Sequence, residues 1–367
     1  MHYLLLLLVF PLAWPFVAKR IFGHEITFGE LGINLAVGCL VVIVGFFGGR
    51  YITAADTELL NGEVHRKESH QVSCEHSYTC NCRESCSGSG TSRSCTTTCD
   101  TCYEHLYDID HTLYTTVGDI DIRREDRQGL IVPERFKRAQ IGDPVAQTHW
   151  HLNYIKAAPE SLFNKGAGQD ALERYRADIP AYPADVYDYH YVNRVLPVNV
   201  AVPDVGDWNM RLALALRKLG PSKQVNAIIV MTKHDSMYAE ALEAAWLGGK
   251  KNDVVLVLGT PEYPKIDWAR VISWTDNHTF KVELRDATTA MKEASAPAVV
   301  DMLEQHIARA FERKSMKDFE YLKTLIEPPT WLLVLLFVVS VIVSVGLSFY
   351  LARDGVSGAP RRFRRFR

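Results

Sequence analysis

Hydrophobic and polar positions are sharply segregated along the chain. Three blocks are apolar on every helical face: Tyr3 to Ala18, Ile33 to Gly49 ("INLAVGCLVVIVGFFGG") and Trp331 to Leu351 ("WLLVLLFVVSVIVSVGLSFYL"). At 1.5 Å per residue the last spans roughly 31 Å, enough to cross a bilayer's hydrocarbon core. The second is shorter and glycine-rich but of the same type. In the first, Lys19 and Arg20 follow the apolar run, whereas a signal peptide has its basic residues in front. It is read as a short, proline-containing membrane helix. Residues 1–50 are therefore expected to form two membrane helices, and residues 331–351 a third.

Between these blocks the pattern changes twice. Residues 51–73 are polar and are expected to extend the second membrane helix outward as a helical linker. Residues 74–105 are cysteine-rich and mostly irregular or β. Within 106–203, "TLYTTVGDIDIRRED" alternates with period two on either side of Gly118-Asp119 and predicts two short strands. The following stretch to Pro203, rich in Tyr, Pro, Asp and Asn, is expected to form loops and short strands packed by aromatic rings. From Asp204 to residue 327 a helical repeat (Trp208, Leu212, Ala215, Leu216, Leu219) is followed by the apolar run "QVNAIIVMT". A capped helix then starts at Asp235, and a second apolar run, "DVVLVLGT", precedes the alternating "DWARVISW" and two more helices. Helix, strand, helix, strand, strand, helix, helix predicts an α/β sandwich. The helix between consecutive apolar strands favours parallel pairing.

Charge adds a direction. The chain of 367 residues balances 41 Lys and Arg against 43 Asp and Glu, so no strongly basic nucleic-acid-binding body is expected. Two basic segments flank the apolar blocks: Lys19 with Arg20, and Arg353 with the tail "RRFRRFR", which holds Arg361, Arg362, Arg364, Arg365 and Arg367. All fall on one side of the bilayer if residues 51–329 are extracytoplasmic and the tail (352–367) is cytoplasmic. The tail then acts as a topology anchor or touches anionic lipid, with Phe363 and Phe366 at the interface.

That compartment bears on the cysteines. Seven of the eight cluster as Cys74-x5-Cys80-x-Cys82-x3-Cys86-x8-Cys95-x3-Cys99-x2-Cys102; the eighth, Cys39, lies in the second apolar block. Between them lie Ser, Thr, Gly and Asn, which bury too little apolar surface to hold a fold. Disulfides supply order in an oxidising compartment. A zinc site is the rival, since Cys99-x2-Cys102 and Cys82-x3-Cys86 resemble half-sites with His76 and His105 nearby. Thiol redox work at Cys99 and Cys102 is a third, weaker reading. The odd thiol must stay free, pair with another chain or bind something.

"KQVNAIIVMTKHDSMYAEALEAAWLGGKKNDVVLVLG" and "RVISWTDNHTFKVELRDA" resemble the TPM-domain family over roughly Asp204–Leu325. The shared order is strand, polar turn, helix ending near a Trp-x-Gly element, Lys/Asn/Asp turn, valine-rich strand, then a strand with aromatic and basic residues. The whole chain is similar to TPM-type membrane proteins of bacteriophages and bacteria in which a cysteine-rich stretch ending like "CDTCYEH" precedes such a domain and a C-terminal anchor. The resemblance implies a TPM-like α/β sandwich and a divalent-cation site, Ca2+ or Mg2+, built from Asp235, Asn252, Asp253 and Asp276 at strand ends. The chain departs from the family in Val254, where glycine is usual, and in "SWTDNHTF", which replaces a glycine-rich element. There is no P-loop, GxSxG or HExxH signature. The leading expectation is a membrane-anchored interaction or assembly protein whose partner is another envelope or virion protein. The alternative is a cation-dependent TPM-type phosphatase.

Overall fold

The apolar blocks become three long helices in the computed structural model of the chain, which describes residues 2–87, 94–158, 168–189 and 191–355. Helices α1 (His2–Phe22), α2 (Phe28–Ala54) and α10 (Thr330–Arg353) are each long and apolar enough to cross a membrane. Small residues bring them together: Gly38 faces Pro11 and Ser344, and Gly45 faces Leu336. Ser340, Ser344 and Ser348, four residues apart on α10, are fully buried in the bundle. Asn34 Nδ2 donates to Ser344 O at 3.1 Å and to Ser348 Oγ at 2.7 Å, and Trp14 Nε1 donates to the same hydroxyl at 3.0 Å. A capping box of Thr27 and Glu30 starts α2. Ala18, Ile26 and Leu31 pack with Ala352, so the last turn of α1, which carries Lys19 and Arg20, lies at the same end of the bundle as the C-terminus of α10. The arginines Arg361, Arg362, Arg364, Arg365 and Arg367 lie outside the described residues.

At the other end the expected helical linker is absent. Helix α2 stops at Ala54, and Ala55 turns the backbone to an extended conformation that starts β1 (Ala55–Val72), an 18-residue strand. The buried residues of its first half include Asp56, Glu58 and Asn61. These polar positions find ionic and hydrogen-bonding partners rather than a hydrophobic core, which is why the segment reads as a polar linker in the sequence. Strand β1 pairs antiparallel with β4 (Asp108–Thr115) through its second half and with β6 (Pro144–Leu152) through its first. With β5 (Ile120–Ile122) the sheet order is β5-β4-β1-β6, and the two strands expected around Gly118-Asp119 are β4 and β5. Val64, Leu113, Ile122, Phe136, Val145 and Tyr189 form its small core. Between β1 and β4 the cysteine-rich segment rises as a two-stranded antiparallel ribbon, β2 (Ser77–Ser87) and β3 (Ser94–Tyr103). It is more regular than its composition implies.

The second sheet is the expected α/β unit with one strand more, four strands in all. Strands β7 (Val195–Val198), β8 (Asn226–Thr232) and β9 (Asp253–Gly259) are parallel, and β10 (Trp268–Ile272) runs antiparallel to β9. Every residue of β8 and β9 is buried, as a central strand covered on both faces requires. One face packs on α6 (Val205–Lys223), α8 (His278–Ala290) and α9 (Ala296–Ala310) through Trp208, Leu216, Phe280 and Leu303. The other packs on α7 (Met237–Ala245) and α5 (Gln169–Tyr175) through Tyr238, Leu242 and Tyr175. The unit therefore begins before Asp204, drawing the short strand β7 and the helix α5 from the stretch expected to form loops and short strands, in which no helix was expected. The long final helix expected from Pro297 onward instead breaks after α9. Phe311 turns into the core there, and Met316–Thr324 continues as a 3-10 helix.

The two sheets join along β1. Gly220 on α6 lies directly on the Asn61 carbonyl, and a Cβ there would overlap that oxygen. The fully buried Arg194 donates from Nη2 to Asn61 Oδ1 at 2.5 Å and from Nε to Asn226 Oδ1 at 2.9 Å. Glu58, also buried, receives Arg313, Lys251 (3.2 Å) and His149 (3.0 Å) on one oxygen, Oε1. Asp56 meets Lys250 at 2.5 Å and Lys156 at 3.3 Å, and accepts from Asn153 Nδ2 at 2.7 Å. Burial alone would raise the Asp56 carboxyl, but these donors outweigh it and bring its pKa down to about 2.

Candidate functional site at the neck of the disulfide ribbon

Six of the seven clustered cysteines cross-link the ribbon: Cys80 to Cys102, Cys82 to Cys99 and Cys86 to Cys95. Cys86 and Cys95 are register partners, and the ladder shifts between Cys80 and Arg83, where Asn81 takes a positive φ of 49°. Polar side chains cover both faces, and nearly all described ribbon positions are exposed. The cross-links thus do the work that a hydrophobic core does elsewhere. The zinc half-sites expected at Cys99-x2-Cys102 and Cys82-x3-Cys86 are consumed by these bonds, and the dithiol for redox work at Cys99 and Cys102 is likewise split between two of them.

Cys74, expected among the disulfides, is the odd residue. It is a free thiol, 6% exposed, and lies outside the ribbon because β1 ends at Val72 and β2 starts at Ser77. Its Sγ is 3.7 Å from His105 Nδ1 and 3.8 Å from His76 O. His105 follows β3, and its Nδ1 is 3.1 Å from Oδ1 of Asp108, the first residue of β4. The ladder places Asp108 opposite Val72, so both chain connections between sheet and ribbon converge on this cluster. The other oxygen of Asp108, Oδ2, accepts from the Glu75 amide at 3.1 Å and from Arg124 Nη1 at 3.0 Å. Arg124 is fixed in turn by Asp110 at 2.7 Å. Asp108 is fully buried; desolvation would raise its carboxyl, but the Glu75 amide, His105, Cys74 and Arg124 together hold it below the ordinary value.

Cysteine, histidine and aspartate adjoin as in a nucleophilic triad, but the connectivity is wrong for one. Thiol and carboxylate meet the same ring nitrogen, Nδ1, so the imidazole cannot take the thiol proton on one nitrogen while the carboxylate orients the other. What the three atoms share is their mutual proximity, all within 4.8 Å. A cleft of about 660 Å3 opens beside them, lined also by Tyr78, Tyr103 and Leu106. A second group, Glu84 with Cys86 and Cys95, meets the same distance test, but its sulfurs are committed to a disulfide.

The four residues expected to hold Ca2+ or Mg2+ occupy separate places. Asp235 lies beyond the carboxyl end of β8, two residues before α7, where it accepts from Tyr175 Oη and the Met237 amide, both at 2.9 Å. Asn252 and Asp253 lie at the opposite end of the sheet, because β8 and β9 are parallel and Asp253 pairs with Asn226 at their amino ends. Asn252 Nδ2 donates to Leu59 O at 2.8 Å. Asp253 is fully buried and accepts from Tyr182 Oη (2.8 Å), Asn226 Nδ2 (3.0 Å) and the Lys250 amide (2.7 Å). Its pKa is raised to about 6 by burial, with those hydrogen bonds opposing. Asp276 is exposed and paired with Lys314 at 2.5 Å. Among the described residues none of the three aspartates belongs to a cluster of potential ligands.

Asp108 and Arg124 were not legible as site residues, since neither lies in a recognisable motif. The only hint is the histidine following the last cysteine of the cluster. Comparison with known protein families, curated proteins and solved structures finds no match to this chain.

Proposed function

We propose that this chain is a membrane-anchored interaction or assembly module that holds a disulfide-braced ribbon out to a partner protein on the extracytoplasmic side. The observation that carries the reading is the ribbon itself. It is a double strand with three cross-strand disulfides and exposed polar faces, covalently rigid yet unburied by the rest of the fold. A rigid strand pair loses little conformational entropy when it docks, which favours recognition. Disulfides persist in oxidising compartments, which supports placing residues 51–329 outside the cytoplasm. The clustering of Lys19, Arg20 and Arg353 at the far end of the helix bundle supports the same orientation. The order of the elements from α6 to α9 supports a TPM-like character for the α/β unit. The envelope or virion protein expected as partner remains part of the proposal.

The test is site-specific photocrosslinking from Tyr78 and Tyr103, both more than half exposed, in intact membranes. A discrete protein adduct that disappears on mild reduction is expected. Crosslinking to lipid or to nothing from both positions would remove the ribbon as a docking element. Impermeant maleimide applied after reduction should label the ribbon without permeabilisation; failure to label would reverse the orientation.

A further inference from the structure

We propose that Cys74 Sγ, His105 Nδ1 and Asp108 Oδ1 form a three-ligand site for a divalent transition-metal ion, with Zn2+ the preferred occupant. The site is separate from the disulfides and from the acidic loops of the α/β unit, and does not depend on what the ribbon binds.

Geometry carries the assignment. Zinc bonds of about 2.3 Å to sulfur and about 2.0–2.1 Å to nitrogen and oxygen, at tetrahedral angles, set ligand–ligand edges of roughly 3.5 Å for S···N and roughly 3.3 Å for N···O. The observed edges are 3.7 Å and 3.1 Å. Two of the three edges therefore already stand at coordination spacing, and the third, Cys74 Sγ to Asp108 Oδ1, is within 4.8 Å.

Proton accounting points the same way. A proton on His105 Nδ1 can serve Asp108. The thiol proton then goes to the carboxylate or, at 3.8 Å, to the His76 carbonyl, so sulfur and ring nitrogen stand 3.7 Å apart without a bond that uses both. Without that proton, the ring nitrogen and the carboxylate oxygen present lone pairs to each other. A cation uses sulfur, nitrogen and oxygen at once. With thiolate, carboxylate and neutral imidazole, Zn2+ makes a site of zero net charge, which suits the burial of Asp108 and Cys74.

The surroundings match what ligands need. Asp108 is oriented from behind, because its Oδ2 is held by the Glu75 amide and Arg124 while Oδ1 faces His105. The mixed sulfur, nitrogen and oxygen set selects zinc-like ions over Ca2+ or Mg2+, which take oxygen ligands. The cleft lined by Cys74, His105, Tyr78 and Tyr103 adjoins the site and leaves room for water or a partner's side chain as a fourth ligand. An ion here would tie the β1–β2 connection to the β3–β4 connection and fix the ribbon's angle to the sheet.

Full-length oxidised protein in detergent, in a Cys39→Ser background so that Cys74 is the one free thiol, is stripped with chelator and titrated with Co2+. One equivalent per chain is expected, with thiolate-to-cobalt charge-transfer absorption and the visible bands of a tetrahedral site, displaced by Zn2+. Cys74→Ser should abolish the charge-transfer band, and His105→Gln and Asp108→Asn should each weaken binding by about a hundredfold or more. Mass-spectrometric confirmation of the three disulfides shows that the variants have folded. Without any substitution at the site, Zn2+ should slow alkylation of Cys74 at least about tenfold. A protein that gives no thiolate band, a band that survives Cys74→Ser, or alkylation indifferent to Zn2+ would each overturn the site.

Discussion

Replacing Glu58 by alanine removes the carboxylate on which Arg313, Lys251 and His149 converge. Glu58 itself is 1% exposed, so the cations lose their partner inside the seam between β1 and the α/β unit. Deleting one member of a buried ion pair costs about 3–5 kcal/mol, most of it the stranded charge left behind. Lys251 and Arg313 keep 11% and 24% of their side-chain exposure and can turn partly to water. The lower end, about 3 kcal/mol, is therefore expected. At about 2–4 °C per kcal/mol for a body of this size, that is a fall in Tm of about 6–12 °C. Thermal unfolding of the full chain in detergent, followed by near-ultraviolet circular dichroism, measures it. Adding Lys251→Met to Glu58→Ala should recover part of the loss, because a stranded ammonium is replaced by apolar volume. A loss below about 1 kcal/mol, the range of exposed surface pairs, would refute the claim that this network clamps the strand to the domain.

Other outcomes follow from the same structure. Asp253 has a folded pKa of about 6 against an ordinary 3.8, so its contribution to stability is largest below pH 3.8 and is lost as pH rises through 6. Asp253→Asn should flatten that part of the stability profile measured by urea unfolding. Asp56 behaves oppositely: lowered to about 2, it contributes above pH 3.8 and loses that contribution as pH falls towards 2. The destabilisation by Asp56→Asn should be full at pH 5 and shrink towards pH 2. Gly220→Val, which drives a branched side chain into the Asn61 carbonyl, should cost about 1–3 kcal/mol or more by the same assay. Reduction of the three disulfides should remove hydrogen-exchange protection from β2 and β3 while leaving β8 and β9 protected, since the ribbon opens as its own unit.

What the sequence reveals depends on whether burial is apolar. Strands β8 and β9 are wholly buried between helices, so "NAIIVMT" and "DVVLVLG" announce themselves, and the intervening helix already implies their parallel pairing. Strand β1 is equally important and illegible. Its inward residues include Asp56, Glu58 and Asn61, whose partners, Lys250, Lys251, Arg194 and Arg313, lie more than a hundred positions away. No periodicity records such a match. Disulfides in the ribbon are expected from its composition, but their pairing, and the exclusion of Cys74, depend on where strands begin. The acids expected as a cation site show the reverse error. Asp235 follows a strand and Asp253 opens the next parallel one, so the crossover that was correctly expected carries them to opposite ends of the sheet.

The absence of any linker between α2 and β1 sets a height. Eighteen residues of strand at about 3.3 Å each carry the chain at most about 60 Å from the helix end to the short connection, residues 73–76, that leads into the ribbon. Because that strut continues without a break from a helix long and apolar enough to cross a membrane and is held laterally by β4 and β6, the ribbon does not hang on a free tether. The ribbon is therefore carried at a set distance from the helix bundle, and the strand behaves as a ruler.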